Sequence, residues 1–176
     1  MTSSDRCGAP ISTLVVDDEP LARRNLTLLL RGDSDIGSIE ECASGAEAVE
    51  AIRRRKPDLV FLDVQMPECG GFDVLELLGA DLPQTIIFVT AHDEHALRAF
   101  EAGALDYLLK PFDDARFMRA LARAKEKIAH FASYRRRRAG LSSNRRVGCF
   151  SSMCPTSIGW KPRAIMLACT SGGRRM

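Results

Sequence analysis

The sequence predicts an α/β fold: a five-stranded parallel sheet, doubly wound by five helices, followed by a basic C-terminal tail that reads as disordered. Two observations carry the sheet. Between residues 13 and 131, short β-branched runs alternate with longer stretches whose apolar residues recur at helical spacing, the pattern of repeated βαβ units. Three of the short runs are nearly all apolar, as strands covered by helices on both faces must be. A third observation carries the tail: no Asp or Glu occurs from Ser133 onward, where 10 Lys or Arg stand.

In chain order, TLVV (13–16) is the first strand, and residues 21–30 form the first helix, entered through Asp17, Asp18, Glu19 and Pro20. A carboxylate before a proline is a common helix start. IGSIEECA (36–43) is the second strand and 46–54 the second helix. LVFL (59–62) is the third strand, separated from a helix at 72–78 by a loop containing Met-Pro and two glycines. TIIFVT (85–90) precedes a helix at 94–101, and DYLL (106–109) precedes Lys-Pro and a helix at 115–131. The domain is drawn at 12–131 and the tail at 132–176.

A chain of 176 residues holds one ordinary domain plus a fragment. Its balance of 45% hydrophobic and 27% charged residues is that of a soluble globular protein. No apolar run approaches the roughly 18 residues needed to cross a bilayer, and the opening MTSSDRCGAP has no apolar stretch after a basic start. The expected location is the cytoplasm, with no membrane partner. The net charge of +2 hides an asymmetry, because all 23 acidic residues but only 15 of the 25 basic ones precede Ser133, giving that part −8. Such a break separates segments of different origin or task. None of Cys7, Cys42, Cys69, Cys149, Cys154 and Cys169 forms a CxxC pair, which excludes an obvious zinc site or disulfide framework.

In a doubly wound parallel sheet, ligands bind beyond the carboxyl ends of the strands, where the strand order reverses. Asp17 and Asp18 follow the first strand, Asp63 the third, Thr90 ends the fourth, and Lys110 follows the fifth. Three carboxylates gathered in one crevice repel unless they share a hard divalent cation, for which Mg2+ is the best match. Lys110 would then offer a point charge and Thr90 a hydroxyl to phosphoryl oxygens. Neutralised charge and in-line positioning are most of what phosphoryl transfer requires. Asp63 is assigned as the nucleophile because it stands alone at the middle strand, while Asp17 and Asp18 are placed to share the metal.

The segments VVDDEP, FLDVQMP and FVTAHDEHALRAFEAGALDYLLKPF resemble the receiver (CheY-like) domain of two-component response regulators, in the branch whose output is a LytTR DNA-binding domain. The resemblance implies that Asp18 and Asp63 bind Mg2+ directly, Asp17 through water and Gln65 through its backbone carbonyl. It implies that Asp63 takes its phosphoryl group from a phosphohistidine on a sensor histidine kinase. Thr90 and Tyr107 would be a switch pair, the hydroxyl moving toward the phosphoryl group and the ring turning into the vacated space. The surface of the fourth helix, fifth strand and fifth helix would then favour a homodimer. Gln65 and His92 match positions that tune hydrolysis of the acyl phosphate. Cys69 and Gly70 depart from the acidic or small polar residue that the family often places before its glycine, a change of loop shape rather than chemistry.

Each residue also has a plainer reading. Asp63 before Met-Pro reads as a turn residue, Lys110 as a loop lysine, Thr90 as a strand-end cap, Tyr107 as core, and His92 and His95 as surface residues of a helix start. Their shared edge in the expected order overturns these readings together. A phosphatase with an aspartyl nucleophile would place an acid–base Asp two positions later, where Gln65 stands. The tail could attract phosphate backbone through YRRRRAGLSSNRR, so residual DNA binding is the alternative function. Back-translation of 144–173 in the adjacent frame permits GRVFFFDVPDIDWLEAEGNYARLHVG, similar to the start of a LytTR domain. That reading takes the tail as the remnant of a frameshifted output domain, and the single-codon residues Met153, Trp160 and Met166 fit it.

Overall fold

The computed structural model describes residues 9–91 and 95–142. Strands β1 (Ile11–Val16), β2 (Ile36–Cys42), β3 (Leu59–Leu62), β4 (Ile86–Thr90) and β5 (Asp106–Leu109) alternate with helices α1 (Pro20–Arg31), α2 (Gly45–Arg55), α3 (Gly71–Leu78), α4 (Ala96–Glu101) and α5 (Asp114–Ser142). The sheet order is β2-β1-β3-β4-β5, and every neighbouring pair is parallel. The chain therefore winds outward from β1 to β2, returns past β1 to β3, and continues the other way. The order reverses between β1 and β3.

The central strands are apolar because both of their faces are covered. Along β1, Leu14 and Val16 enter one core with Val60, Leu62, Phe88, Val49, Ile52 and Phe72. Val15 enters the other with Phe61, Ile87, Leu26, Leu30, Phe117 and Leu121. The first layer is closed by α2, α3 and, through Ala99, α4, and the second by α1 and α5. Phe61 stacks on Phe117 at 5.6 Å and Phe72 packs tilted against Phe88 at 5.0 Å between ring centroids, locking a helix to the sheet on each side. Burying a phenylalanine stabilises the fold by about 1.5–3 kcal/mol.

Local chemistry sets the helix ends. Pro20 occupies the first turn of α1, where its missing N–H costs nothing. Ser44 Oγ accepts from the Glu47 backbone N–H while Glu47 Oε2 accepts from the Ala43 N–H, so α2 begins with a reciprocal cap. Asp73 Oδ2 accepts from the Gly70 N–H at 2.9 Å at the start of α3. Buried Asp106 of β5 takes two bonds from Arg116 and one from Arg123, both on α5. Burial alone would raise the Asp106 pKa, but the Arg116 hydrogen bonds and the Tyr107 N–H outweigh it and hold the carboxyl below its usual range.

Helix α5 runs to Ser142, past the boundary drawn at 131, so residues 132–142 are helix and not a disordered start of the tail. The apolar period that marks a helix is absent there. A helix continuing off the domain surface needs none, since alanine and arginine propagate a turn already nucleated on the core. Residues 143–176, with the frameshift reading placed on them, lie outside the described residues. Among the described residues no helix is long and apolar enough to cross a membrane.

Gly71 carries the link between this packing and the crevice above the sheet. A Cβ there would lie 2.3 Å from the Asp63 carbonyl oxygen and 3.1 Å from the Phe88 ring, so α3 can seat against the end of β3 only through a residue without one. Gly71→Ala is expected to lower stability by about 2 kcal/mol, read as a lower urea midpoint at unchanged slope.

Candidate functional site

The carboxyl ends of β1, β3 and β5 bring Asp17, Asp63 and Lys110 into direct contact. Asp63 is placed by its backbone N–H, which bonds the Val16 carbonyl at 2.9 Å and so ties the end of β3 to that of β1. The Lys110 backbone N–H bonds the Thr90 carbonyl at 2.7 Å, tying the residue after β5 to the end of β4. The Lys110–Pro111 peptide is cis. From there the lysine ammonium donates to Asp17 Oδ2 at 2.6 Å and to Asp63 Oδ2 at 2.9 Å. The remaining oxygens close local turns, Asp17 Oδ1 accepting from the Glu19 N–H and Asp63 Oδ1 from the Gln65 N–H.

Asp17 is fully buried, Asp63 nearly so, and Asp18 is exposed. Among the described residues these three form a group whose candidate ligand oxygens all lie within 4.8 Å of one another. Against them stands one ammonium. Burial raises the Asp17 pKa more than the Lys110 and Glu19 hydrogen bonds lower it, and neighbouring Asp63 adds to the rise. For Lys110, burial works against the charge, but the hydrogen bonds it donates to Asp17 and Asp63 outweigh it and raise its pKa, so it remains a cation.

This donor set fits a hard divalent cation. All of its ligands are oxygens, each carboxylate retains lone pairs beyond those used in turns, and two negative charges are left after Lys110 is counted. The exposed carboxylate of Asp18 gives the group an open side.

Thr90 is buried at the end of β4. Tyr107 pairs with Phe88 in the sheet and packs in the same core layer, the residue being 9% exposed, so it already lies largely inside. Strand alternation puts Thr90 on the face that Phe88 and Tyr107 share. His92 lies outside the described residues. Two further side chains border the site. Arg23 donates to the Asp17 carbonyl oxygen at 2.6 Å, one turn into α1. His95, taken for a surface residue, is partly buried, with its ring edge-on to Phe72 and its Nε2 3.5 Å from Nε2 of Gln65. Nothing in the local sequence marks either contact. Beside Lys110, a groove of about 660 Å³ opens between α1 and the segment after β5, lined by Leu21, Leu28, Leu29, Pro111 and Phe112.

Residues 13–122 match the family model of the response regulator receiver domain. The chain belongs to this family. The receiver is 46% identical over 116 residues to the transcriptional regulatory protein BtsR of Escherichia coli strain K12, which covers 66% of this chain and 48% of BtsR. A response regulatory protein of Vibrio vulnificus is 42% identical over 122 residues, 69% of this chain and 50% of that protein. The chain thus spans about half the length of the curated relatives it matches. Among solved structures, the receiver resembles the REC domain of AraT, a response regulator from Geobacillus stearothermophilus, at a TM-score of 0.62 and 28% identity, covering 70% of this chain and 98% of that one. It resembles the signal receiver domain of the response regulator NarL from Mycobacterium tuberculosis at 0.60 and 30%, covering 67% and 98%.

The raised Asp17 pKa makes the receiver's stability depend on pH with a definite sign. A folded value above the unfolded one near 3.8 means that the protonated form stabilises fully below that value and that this gain is lost as pH rises through the folded value. In EDTA, Asp17→Asn is expected to be more stable than wild type at neutral pH, with the advantage lost as pH falls below the ordinary aspartate value. Urea titrations at neutral and at acid pH check it.

Proposed function

We propose that this receiver accepts a phosphoryl group on Asp63 from a phosphohistidine of a sensor histidine kinase and changes conformation to control an output. The observation that carries the proposal is the Lys110 ammonium 2.9 Å from Asp63 Oδ2, beside two further carboxylates. Of the two carboxylates that Lys110 holds, Asp63 is the more reachable, its side chain 9% exposed against 1% for Asp17.

A carboxylate oxygen of Asp63 forms a bond to phosphorus as the phosphorus–nitrogen bond breaks, and the imidazole leaves with the electron pair. Lys110 follows the charge, donating to a phosphoryl oxygen while it stays close to the nucleophile. The Thr90 hydroxyl donates to another. Asp17, Asp18 and Asp63, with the Gln65 backbone carbonyl, would hold Mg2+, whose contribution is to neutralise charge on the phosphoryl oxygens. Engagement of Thr90 would shift the Tyr107 ring between its positions, a population shift in which the phosphorylated site binds one arrangement better.

The exposed leucines Leu97 on α4 and Leu109 on β5, with Met118 on α5, support a homodimer through the α4–β5–α5 surface. The groove beside Lys110 offers a phosphodonor domain an apolar seat next to the nucleophile. The branch of the family is read as LytTR, with an output that acts on DNA, and the protein as cytoplasmic. The residual-DNA-binding reading rests on the Arg135–Arg138 run in the last turns of α5 and on the basic residues after it. Binding to duplex DNA that weakens steeply with salt would support it.

Incubation with Mg2+ and radiolabelled acetyl phosphate is expected to label the wild-type chain. Asp63→Asn, or wild type in excess EDTA, should stay at background. Equal labelling of wild type and Asp63→Asn would remove Asp63 as the nucleophile.

A further inference from the structure

The rim of the site is crossed by a side-chain bridge that the phosphoacceptor chemistry does not use. Gln65 stands two residues past Asp63, and its backbone N–H bonds Asp63 Oδ1 at 3.1 Å, so its position is tied to the reacting carboxylate. Its exposed side chain reaches outward to His95, nitrogen to nitrogen at 3.5 Å, the long end of the hydrogen-bond range. In one tautomer the Gln65 amide donates to His95 Nε2, and in the other the ring N–H donates to the amide turned over. Either way, the contact joins the loop after β3 to the residue just before α4. Those are two walls of the crevice.

His95 is held where it is by packing. Its ring meets Phe72 edge-on at 6.0 Å and 68°. Phe72 is in turn covered by the Arg98 guanidinium at 4.2 Å and packed on Phe88 of β4. The His95 carbonyl accepts the Ala99 N–H at 3.0 Å, an opening bond of α4. A ring fixed in this way can hold the Gln65 amide in turn, since the glutamine is exposed and otherwise has several rotamers open to it. Water attacking a phosphoryl group on Asp63 must approach in line, from the side opposite the Asp63 oxygen, and the exposed Gln65 side chain, two residues past Asp63, stands at the solvent rim beside that carboxylate.

We propose that His95 is a positioning residue for Gln65, holding its amide across the solvent mouth of the site and so lengthening the lifetime of the phosphoryl group on Asp63. The inference rests on the phosphoacceptor reading. In the hydrolytic step, a water oxygen bonds to phosphorus as the bond from phosphorus to the Asp63 oxygen breaks. The carboxylate recovers the electron pair, and the water proton passes to the released phosphate or to solvent. Gln65 and His95 exchange no atoms. They set how often water reaches the in-line position.

The test labels the full chain with radiolabelled acetyl phosphate and Mg2+, removes the donor by rapid desalting, and follows loss of label. His95→Ala, and His95→Phe, which keeps an aromatic edge against Phe72, are both expected to lose label about 3- to 10-fold faster than wild type, as expected for one lost hydrogen bond. His95→Gln restores an amide at similar reach and is expected to lose label near the wild-type rate. In a Gln65→Ala background, His95→Phe should add nothing, because the two residues act as one unit. An unchanged or slower rate in His95→Phe, or the same acceleration with and without Gln65, would overturn the proposal. If the folded wild-type chain takes no label at all, the phosphoacceptor reading fails and this inference falls with it. If only wild type and Asp63→Asn differ while all His95 variants match wild type, the phosphoacceptor reading stands and the His95 role is wrong.

Discussion

The structure turns on a lysine that reaches across the sheet. Lys110 follows β5, while its partners Asp63 and Asp17 follow β3 and β1, two and three places along the strand order. Neighbouring strands lie about 4.8 Å apart, so the ammonium has to pass over the end of β4 to reach either carboxylate. A four-carbon stem is suited to this, and so is the residue beneath it. Thr90 ends β4 fully buried, and its carbonyl accepts the Lys110 N–H, so the lysine is anchored on the strand it crosses. Anything that changes at Thr90 is therefore felt where Lys110 sets out toward Asp63.

The same crossing fixes the electrostatics. One ammonium facing three carboxylates leaves the crevice negative, and the cost is visible in Asp17, whose burial makes its ionised form unfavourable even with Lys110 at 2.6 Å. A sequence under selection for stability alone would place an amide or an apolar residue there. Retaining the carboxylate fits the proposed Mg2+ site, in which the missing positive charge would come from a cation held by Asp17, Asp18 and Asp63. Local rules are broken where the chemistry needs them broken.

What the sequence made legible follows from what periodicity can report. The apolar runs of β1, β3 and β4 announce a covered parallel sheet, and the polar residues that interrupt them at one edge announce the crevice. Asp17, Asp18, Asp63 and Lys110 were legible because topology alone brings strand ends together. Contacts that depend on side-chain rotamers were not. His95 against Phe72 and Gln65, and Arg23 under the Asp17 carbonyl, require knowing where helices lie, and no spacing encodes that. The length of α5 was missed for a different reason. The apolar period marks the face of a helix that touches a core, as Phe117, Leu121 and Ala124 do, and falls silent once the helix projects beyond it.

That helix is also bound to the backbone of Tyr107, the proposed switch residue. Arg116 donates to the Tyr107 carbonyl at 2.9 Å as well as to Asp106, and Asp106 accepts the Tyr107 N–H at 2.8 Å. Both backbone groups of Tyr107 are thereby engaged by one partly buried ion pair between β5 and α5. With its backbone clamped, Tyr107 can respond to Thr90 in two ways: by rotating its ring about the side-chain bonds, or by carrying β5 and the start of α5 together. Ring rotation alters the surface around Leu109, while the rigid alternative levers the 29-residue α5 as a unit, since the pivot lies in its first turns. In either case the charged clamp at Asp106 keeps strand and helix in step. An event at the proposed phosphoacceptor site can then reach the far end of α5 without any contact between the two.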